Sequence, residues 1–394
     1  MVVAGAVDIS TVKAAIVEKV EDRCDEWFSI AKCFYDSPEV GLQEVRAAAV
    51  LTAKLETEGF EVRRGLAGLT TAFRAEWGSA GPTIALLAEM DALPGLGHAC
   101  GHNIIAAATL GAAVTLRHVL PTNAARIVVI GTPAEEQGIG KIELIRAGCF
   151  ADVDFAMMVH PASKRQVIKM FLGLARIRFE FIGKAAHAAA HPEEGINALD
   201  AVIQTFNAIN GLRQHLRQDV KVHGIITEGG SAPNIIPERA SCFFYVRAED
   251  LSQVEEVRRR IKACAEGAAM ACGCRLSVQE DPRVLAPMVI NRAFYRLYSK
   301  QLEYLELPEA NAPIDRNMGS SDIGNVSRLV PTIHPHVPIG TGISIHTEEF
   351  ARATVSEQGR AAVIEGAKSL ALTAFELASC PRVREEILKE FTAH

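Results

Sequence analysis

Several things are missing from this 394-residue chain, and each absence excludes a class of protein. It has no excess of cations: 41 Lys and Arg against 47 Asp and Glu leave a formal charge of −6. That excludes a general nucleic-acid binder, whose affinity comes from cations displacing the counterions of the phosphate backbone. Long apolar runs are absent as well. The longest, Ile104 to Leu116, is broken by Thr and Gly and is too short to cross a bilayer, so no membrane partner is expected. The opening MVVAGAVD lacks the basic and long apolar regions of a secretory signal. Nine cysteines are an odd number, scattered over the chain, which argues against a disulfide framework and for a reducing, cytoplasmic compartment. No G-x-S-x-G nucleophile elbow and no G-x-G-x-x-G dinucleotide fingerprint occur. Gly140-Lys141 looks like the tail of a phosphate loop, but Ile142 stands at the Ser/Thr position. Cys272-Gly273-Cys274 lacks the second ligand pair of a zinc ribbon and reads as the end of a packed helix.

What is present is an ordinary apolar fraction, enough for a sizeable core, and a length that at roughly 150 residues per domain suggests two or three domains. Helix-period apolar positions run over Thr11 to Tyr35 and Leu42 to Glu58, and a further helix over Ile104 to Leu120. Strand-like runs lie at Glu61 to Arg64, Thr70 to Trp77, Thr83 to Met90, Arg126 to Ile130 and Phe155 to Val159. The last two are short and continuously apolar, as in strands buried on both faces. This alternation predicts a mostly parallel sheet covered by helices. The middle of the chain changes style. Strands at Phe171 to Ile182, Lys221 to Thr227, Cys242 to Val246 and Arg275 to Val278 interleave with helices at Gly195 to Arg217 and Leu251 to Ala271. That β-α-β-β-α-β order is the split βαβ unit of a ferredoxin-like module. The mixed pattern resumes near Pro287 and ends in a helix over Thr354 to Ala378 and a short one after Pro381. The expectation is an α/β domain of residues 1–171 and 284–394, interrupted by an α+β module of residues 172–283.

Four strand ends carry reactive side chains. Gly97-His98-Ala99-Cys100-Gly101-His102-Asn103 packs a thiol and two imidazoles into five residues between a strand and a helix, where α/β sheets place ligands. Thiolate and neutral imidazole suit a borderline-soft divalent ion such as zinc; a buried cysteine with capping histidines is the plainer reading. Thr132-Pro133-Ala134-Glu135-Glu136 sets two carboxylates at the end of an apolar strand, one able to act as ligand and one as base, or both as a solvated turn. His160 follows Met158-Val159, His346 lies in Ile345-His346-Thr347-Glu348, and Asp91 closes Glu89-Met90-Asp91. Each alone reads as structural. Together they would fill a two-metal hydrolytic site, with ions roughly 3.5–4 Å apart bridged by a water.

The runs AEMDALP, GHACGHN, TPAEEQGIGK, MVHPA, GKAAHAAAHPEEGINALDA, PNIIPERA, GSSDIGNVS and SIHTEEF resemble the metallopeptidase superfamily of aminoacylase, carboxypeptidase G and the auxin-conjugate amidohydrolases. Within it the likeness is to the branch of aminobenzoyl-glutamate hydrolase and the β-alanyl-lysine dipeptidase. The matches run from about Pro38 to Phe350. The resemblance implies a zinc-peptidase-like catalytic domain with an inserted lid that mediates dimerisation. It implies Cys100, His102, Glu136, His160 and His346 as ligands of one or two divalent ions, zinc by default, manganese or cobalt as options. Glu135 would be the general base for a metal-bridging water, and Asp91 would orient a ligand. His187, in Gly183-Lys184-Ala185-Ala186-His187, would polarise the scissile carbonyl, often in the partner subunit's site. Asn234 and Arg247 resemble residues holding the substrate carboxylate, for which a planar guanidinium is suited; Arg247 could instead pair with Glu249 or Asp250. His98 and His191 read as structural. Two departures stand out: Glu89 occupies a position where many superfamily members have a His ligand, and Asn103 replaces an Asp of the auxin-conjugate enzymes, leaving one fewer carboxylate near the site.

The expected activity is metal-dependent hydrolysis of a linear C–N amide bond in a small carboxylate-bearing molecule. An amine on an activated aromatic ring is the alternative target. A catalytically silent metal-dependent binding protein is the alternative from another class, against which an uncoordinated base at Glu135 argues.

Overall fold

Strand Thr83–Glu89 is buried at every position, as its apolar stretch Ile84 to Ala88 requires, because both of its faces must be covered. The computed structural model describes residues 9–307 and 318–393. These divide into two units, one of residues 1–170 with 289–394, the other of residues 171–288. In the first unit, Glu61–Arg64, Phe73–Trp77, Arg126–Thr132, Thr83–Glu89, Phe155–Met157 and Thr332–Ile333 form a six-stranded sheet in that order. The last four are mutually parallel and the first two are antiparallel additions at one edge. Helix His102–Val119, rich in Ala, is buried almost throughout and packs on the sheet and on helix Glu357–Ser379. The small residues permit this approach: a Cβ on Gly111 would meet Ala367 at 3.1 Å and Trp27 at 3.3 Å.

Several boundaries differ from the sequence reading. The segment Thr11 to Tyr35 is two helices, Ile9–Asp22 and Cys24–Asp36, broken at Arg23, whose guanidinium lies over the Trp27 ring and pairs with Glu58. The run Phe155 to Val159 is a strand only to Met157; its neighbour Thr332–Ile333 is shorter still, because Pro331 and Pro335 flank it and offer no N–H to a ladder. The chain then forms a separate parallel pair of His160–Ala162 with His336–Pro338. The final long helix begins at Glu357, not Thr354, because Ser356 caps it by accepting the N–H of Gly359 at 3.2 Å.

The second unit has four strands, ordered Arg275–Glu280, Gly173–Ile182, Arg239–Ala248, Lys221–Glu228, all antiparallel. With helices Ala198–Arg213 and Leu251–Cys272 this is the ferredoxin-like arrangement. Gly173–Ile182 buries alternate residues, and Ile177, Phe179 and Phe181 meet Val202, Ile209 and Val257 from the helices in its core. The first helix is shorter than the periodic run Gly195 to Arg217 because the Asn197 side chain caps it, accepting the N–H of Leu199 at 3.0 Å. Gly273, at φ 70°, ends the second helix between Cys272 and Cys274. All nine cysteines are free thiols. Among the described residues no helix is long and apolar enough to cross a membrane.

Candidate active site

Strands Thr83–Glu89 and Arg126–Thr132 run parallel with Glu89 opposite Thr132, so the residues that follow them leave the sheet side by side. Asp91, fully buried, comes from the first; Glu135 and Glu136 come from the second. The two glutamates are not the last residues of a strand. They lie on a short 3-10 turn, Glu135–Gln137, entered through Ala134 in the left-handed region at φ 55°. A non-glycine residue there needs outside support. Glu44 gives it: one carboxylate oxygen accepts the Ala134 N–H at 2.8 Å and the other accepts the Thr71 hydroxyl at 2.8 Å.

Gly101, at φ 82°, turns the chain into helix His102–Val119 and places Cys100 and His102 at its start. Asp91 Oδ1 lies 3.0 Å from Nδ1 of His102, so that nitrogen carries a proton and Nε2 is the atom left to face a bound cation. His160 is set the same way by the Pro161 carbonyl, 2.8 Å from its Nδ1; its Nε2 is 3.6 Å from Cys100 Sγ. His346, half exposed and at φ 64°, is pinned by its own N–H, which donates to the Ala99 carbonyl at 2.9 Å, and its Nε2 is 3.7 Å from Glu136 Oε1.

Donor atoms of Cys100, His102 and His160, and of Cys100, Glu136 and His346, lie within 4.8 Å of one another. Nε2 of His102 and Oε1 of Glu136 are buried, 4.0 Å apart, and neither has a hydrogen-bond partner. Two buried polar atoms without partners are costly unless a cation, a proton or a metal ion, sits between them, and thiolate, imidazole and carboxylate are the ligands of a borderline divalent ion. These residues fit a divalent metal. In their present setting burial pushes the Cys100 thiol well above its ordinary value, with His102 opposing. Burial, and then the negative charges of Glu89 and Asp322, push the Glu135 carboxyl well above the carboxylate range.

The structure thus brings together Asp91, Cys100, His102, Glu135, Glu136, His160 and His346. His187, Asn234 and Arg247 lie in the second unit. There the Asn234 carbonyl accepts the Ala188 N–H at 3.0 Å, so the His187 and Asn234 loops adjoin. Nδ1 of His187 accepts the N–H groups of Ala189 and Ala190 at 3.3 and 3.2 Å, which leaves Nε2, on an exposed ring, to carry the proton of the neutral form. Arg247 is partly buried beside the Tyr245 ring, 5.9 Å from its centre, while Asp250 caps helix Leu251–Cys272. Asn103 is engaged elsewhere: its amide donates to the Ala31 carbonyl and to Thr354, each at 3.1 Å, so its side chain braces a helix junction.

Sequence reasoning missed Glu44, Lys141 and Asp322. Lys141 is wholly buried, its Nζ 2.7 Å from Glu89 and 2.6 Å from Asp322. The lysine in GIGKIEL and the aspartate in GSSDIG were both visible, but nothing in their spacing told that they meet.

Residues 172–271 match the M20 family's peptidase dimerisation domain. The chain is 36% identical to the Xaa-Arg dipeptidase of Mus musculus over 403 residues, covering 98% of this chain and 93% of that protein. It is 31% identical to a p-aminobenzoyl-glutamate hydrolase polypeptide of Escherichia coli, covering 75% of this chain and 66% of that one. A dinuclear metal-binding M20 peptidase from Bacillus subtilis shares the fold with a TM-score of 0.67 at 22% identity, covering 90% of this chain and 99% of that one. With 36% identity to the mouse dipeptidase over nearly the whole length, the chain belongs to the M20 family of metallopeptidases, and it is a metal-dependent hydrolase of C–N amide bonds in small carboxylate-bearing molecules.

Proposed function

We propose that this protein is a dipeptidase acting on small dipeptides, with those ending in a basic residue as the first candidates, and that Glu135 is its general base. The observation carrying the chemistry is the pair of buried, unpartnered atoms on His102 and Glu136, with Glu135 beside them. The mouse relative's name supports the substrate class. Cys100, His102, Glu136, His160 and His346 hold one or two divalent ions, zinc by default given the thiolate, with manganese or cobalt as options. When bound, such an ion supplies Lewis acidity to the scissile carbonyl and acidifies water.

Asp91 fixes the His102 ring through Nδ1 and steadies the acidic turn through the Glu136 N–H. Glu135 takes a proton from the attacking water as its oxygen bonds to the carbonyl carbon. The same carboxyl then delivers that proton to the leaving nitrogen as the C–N bond breaks. Burial that raises the Glu135 pKa suits both halves of the task, since a carboxylate at its ordinary value is a weak base. His187 supplies an Nε2–H donor to the developing oxyanion, and Asn234 and Arg247 hold the substrate carboxylate.

Residues 172–283 would be the inserted dimerisation module, between segments 1–171 and 284–394 of the catalytic domain. The family match and the exposed Ile225 and Ile226 on edge strand Lys221–Glu228 support a homodimer through this module. The free thiols support a reducing cytoplasm. The test is a panel of dipeptides, N-acyl-amino acids and aminobenzoyl-glutamate, assayed with zinc, manganese and cobalt. Release of free amino acids from Arg- or Lys-ending dipeptides is expected; metal-replete protein that cleaves none of the dipeptides overturns the reading.

A further inference from the structure

One buried charged cluster has no part in the roles above. Lys141 opens helix Gly140–Arg146, its Nζ lies between Glu89 Oε1 and Asp322 Oδ1, and its own N–H donates to Asp322 Oδ2 at 3.0 Å. Burying such ions carries a desolvation cost that their mutual attraction must offset. Here one positive charge faces two negative ones, so the cluster carries a surplus negative charge. That surplus falls on a particular atom. Both Asp322 oxygens and Oε1 of Glu89 are bonded within the cluster, whereas Glu89 Oε2 is buried with no hydrogen-bond donor. It lies 3.3 Å from Nε2 of His102, which is equally buried and unpartnered. The His102 ring has its Nδ1 on Asp91, so Nε2 is the only ring nitrogen left to face Glu89 Oε2, and a cation, a proton or a metal ion, must lie between the two. A metal ion seated there would be coordinated by both atoms.

We propose that Glu89 is an oxygen ligand to the ion on the His102 side of the site, and that Lys141, clamped by Asp322, is the positioning residue that holds the Glu89 carboxylate with Oε2 turned toward His102. The inference rests on the reading that Cys100, His102 and Glu136 hold metal. Glu89 and His102 offer atoms that lie within 4.8 Å of one another and of Glu135, so Glu89 can join the five ligands assigned above while Glu135 stays the base.

The experiment titrates metal-free protein with Co²⁺, following the thiolate-to-cobalt charge-transfer band and the d–d bands together, and Zn²⁺ by calorimetry. Glu89→Gln leaves Lys141 and Asp322 as a balanced pair, and the melting temperature of the metal-free variant checks its fold. Glu89→Asp keeps the charge but withdraws the oxygen by one methylene. Both variants should bind one ion about 10-fold more weakly or worse, with altered d–d bands, while the cysteine band persists. Lys141→Met combined with Asp322→Asn removes one charge of each sign, and should perturb the same d–d bands although Glu89 is intact. If this double variant does not fold, the two Glu89 variants decide alone. Unchanged affinities and spectra in both overturn the proposal and leave the metal site standing. Weak binding by Glu89→Gln with unaltered binding by Glu89→Asp also overturns it, since charge alone would then suffice. Wild-type protein that binds no divalent ion overturns the metal reading itself.

Discussion

Asp91 and His102 are joined at 3.0 Å through Oδ1 and Nδ1, and the other oxygen of the same carboxylate accepts the Glu136 N–H at 3.0 Å. One side chain therefore sets both the direction of an imidazole and the position of the acidic turn. An amide has a single acceptor oxygen and can serve one of these donors only. Asp91→Asn should lower metal affinity by about 10–100-fold, the usual cost of losing a group that orients a ligand. Competition against a chromogenic chelator measures this; affinity equal to wild type would remove Asp91 from that role.

Glu135→Gln keeps the size of the side chain and removes the proton acceptor. The expected fall in kcat is about 100-fold or more, the lower end for general base catalysis. Bound metal, measured by elemental analysis, should stay near the wild-type content, because Glu136 and not Glu135 is assigned to the ion. Rapid turnover by this variant would show that the base lies elsewhere.

Cys100→Ala, His160→Ala and Glu136→Ala should each reduce bound metal and activity together. A chelator should inactivate the wild type, and a divalent ion should restore it. Activity that survives complete metal removal would end the metallopeptidase mechanism for this chain.

Mixing the two inactive variants His187→Ala and Glu135→Gln separates the possible placements of His187. If His187 acts across a dimer, subunit exchange yields heterodimers in which one site has both groups, and activity reappears. No recovery after exchange has been demonstrated by labelled subunits would confine His187 to its own subunit or to no catalytic part.

Glu58 offers a stability prediction remote from the site. Burial alone would raise its pKa, but hydrogen bonds from Arg23, His118 and Lys54 prevail and hold it at about 2. Its ordinary value is 4.5, so below that pH the unfolded chain takes up a proton that the folded chain refuses. The stabilisation is therefore present in full above pH 4.5 and disappears as pH falls toward 2. Thermal melts of wild type and Glu58→Gln should differ at neutral pH and converge on acidification. A gap independent of pH would contradict this.

The elements were legible wherever a local pattern carried them. The alternation in Gly173–Ile182 and the apolar run inside Arg126–Thr132 announce one-sided and two-sided burial, because strand side chains alternate faces every residue. The ligand types at the strand ends were likewise visible, since a thiol, imidazoles and adjacent carboxylates keep their chemistry whatever surrounds them. Other features were not local. The acidic turn depends on Glu44, 90 residues before Ala134, accepting a strained N–H. The break at Arg23 depends in part on Glu58, 35 residues away.

Sequence alone determined the order of the main strands of both units, the donor atoms available for a metal, and the lack of a cationic excess, because each follows from residue type and near-neighbour spacing. Tertiary structure decided which oxygens are already committed. Lys141 and Asp322 are 181 positions apart, yet their contact occupies one side of the cluster and leaves Glu89 Oε2 facing His102. Whether a buried carboxylate is satisfied or orphaned depends on partners brought in from distant chain, and burial removes the water that would otherwise make the distinction small.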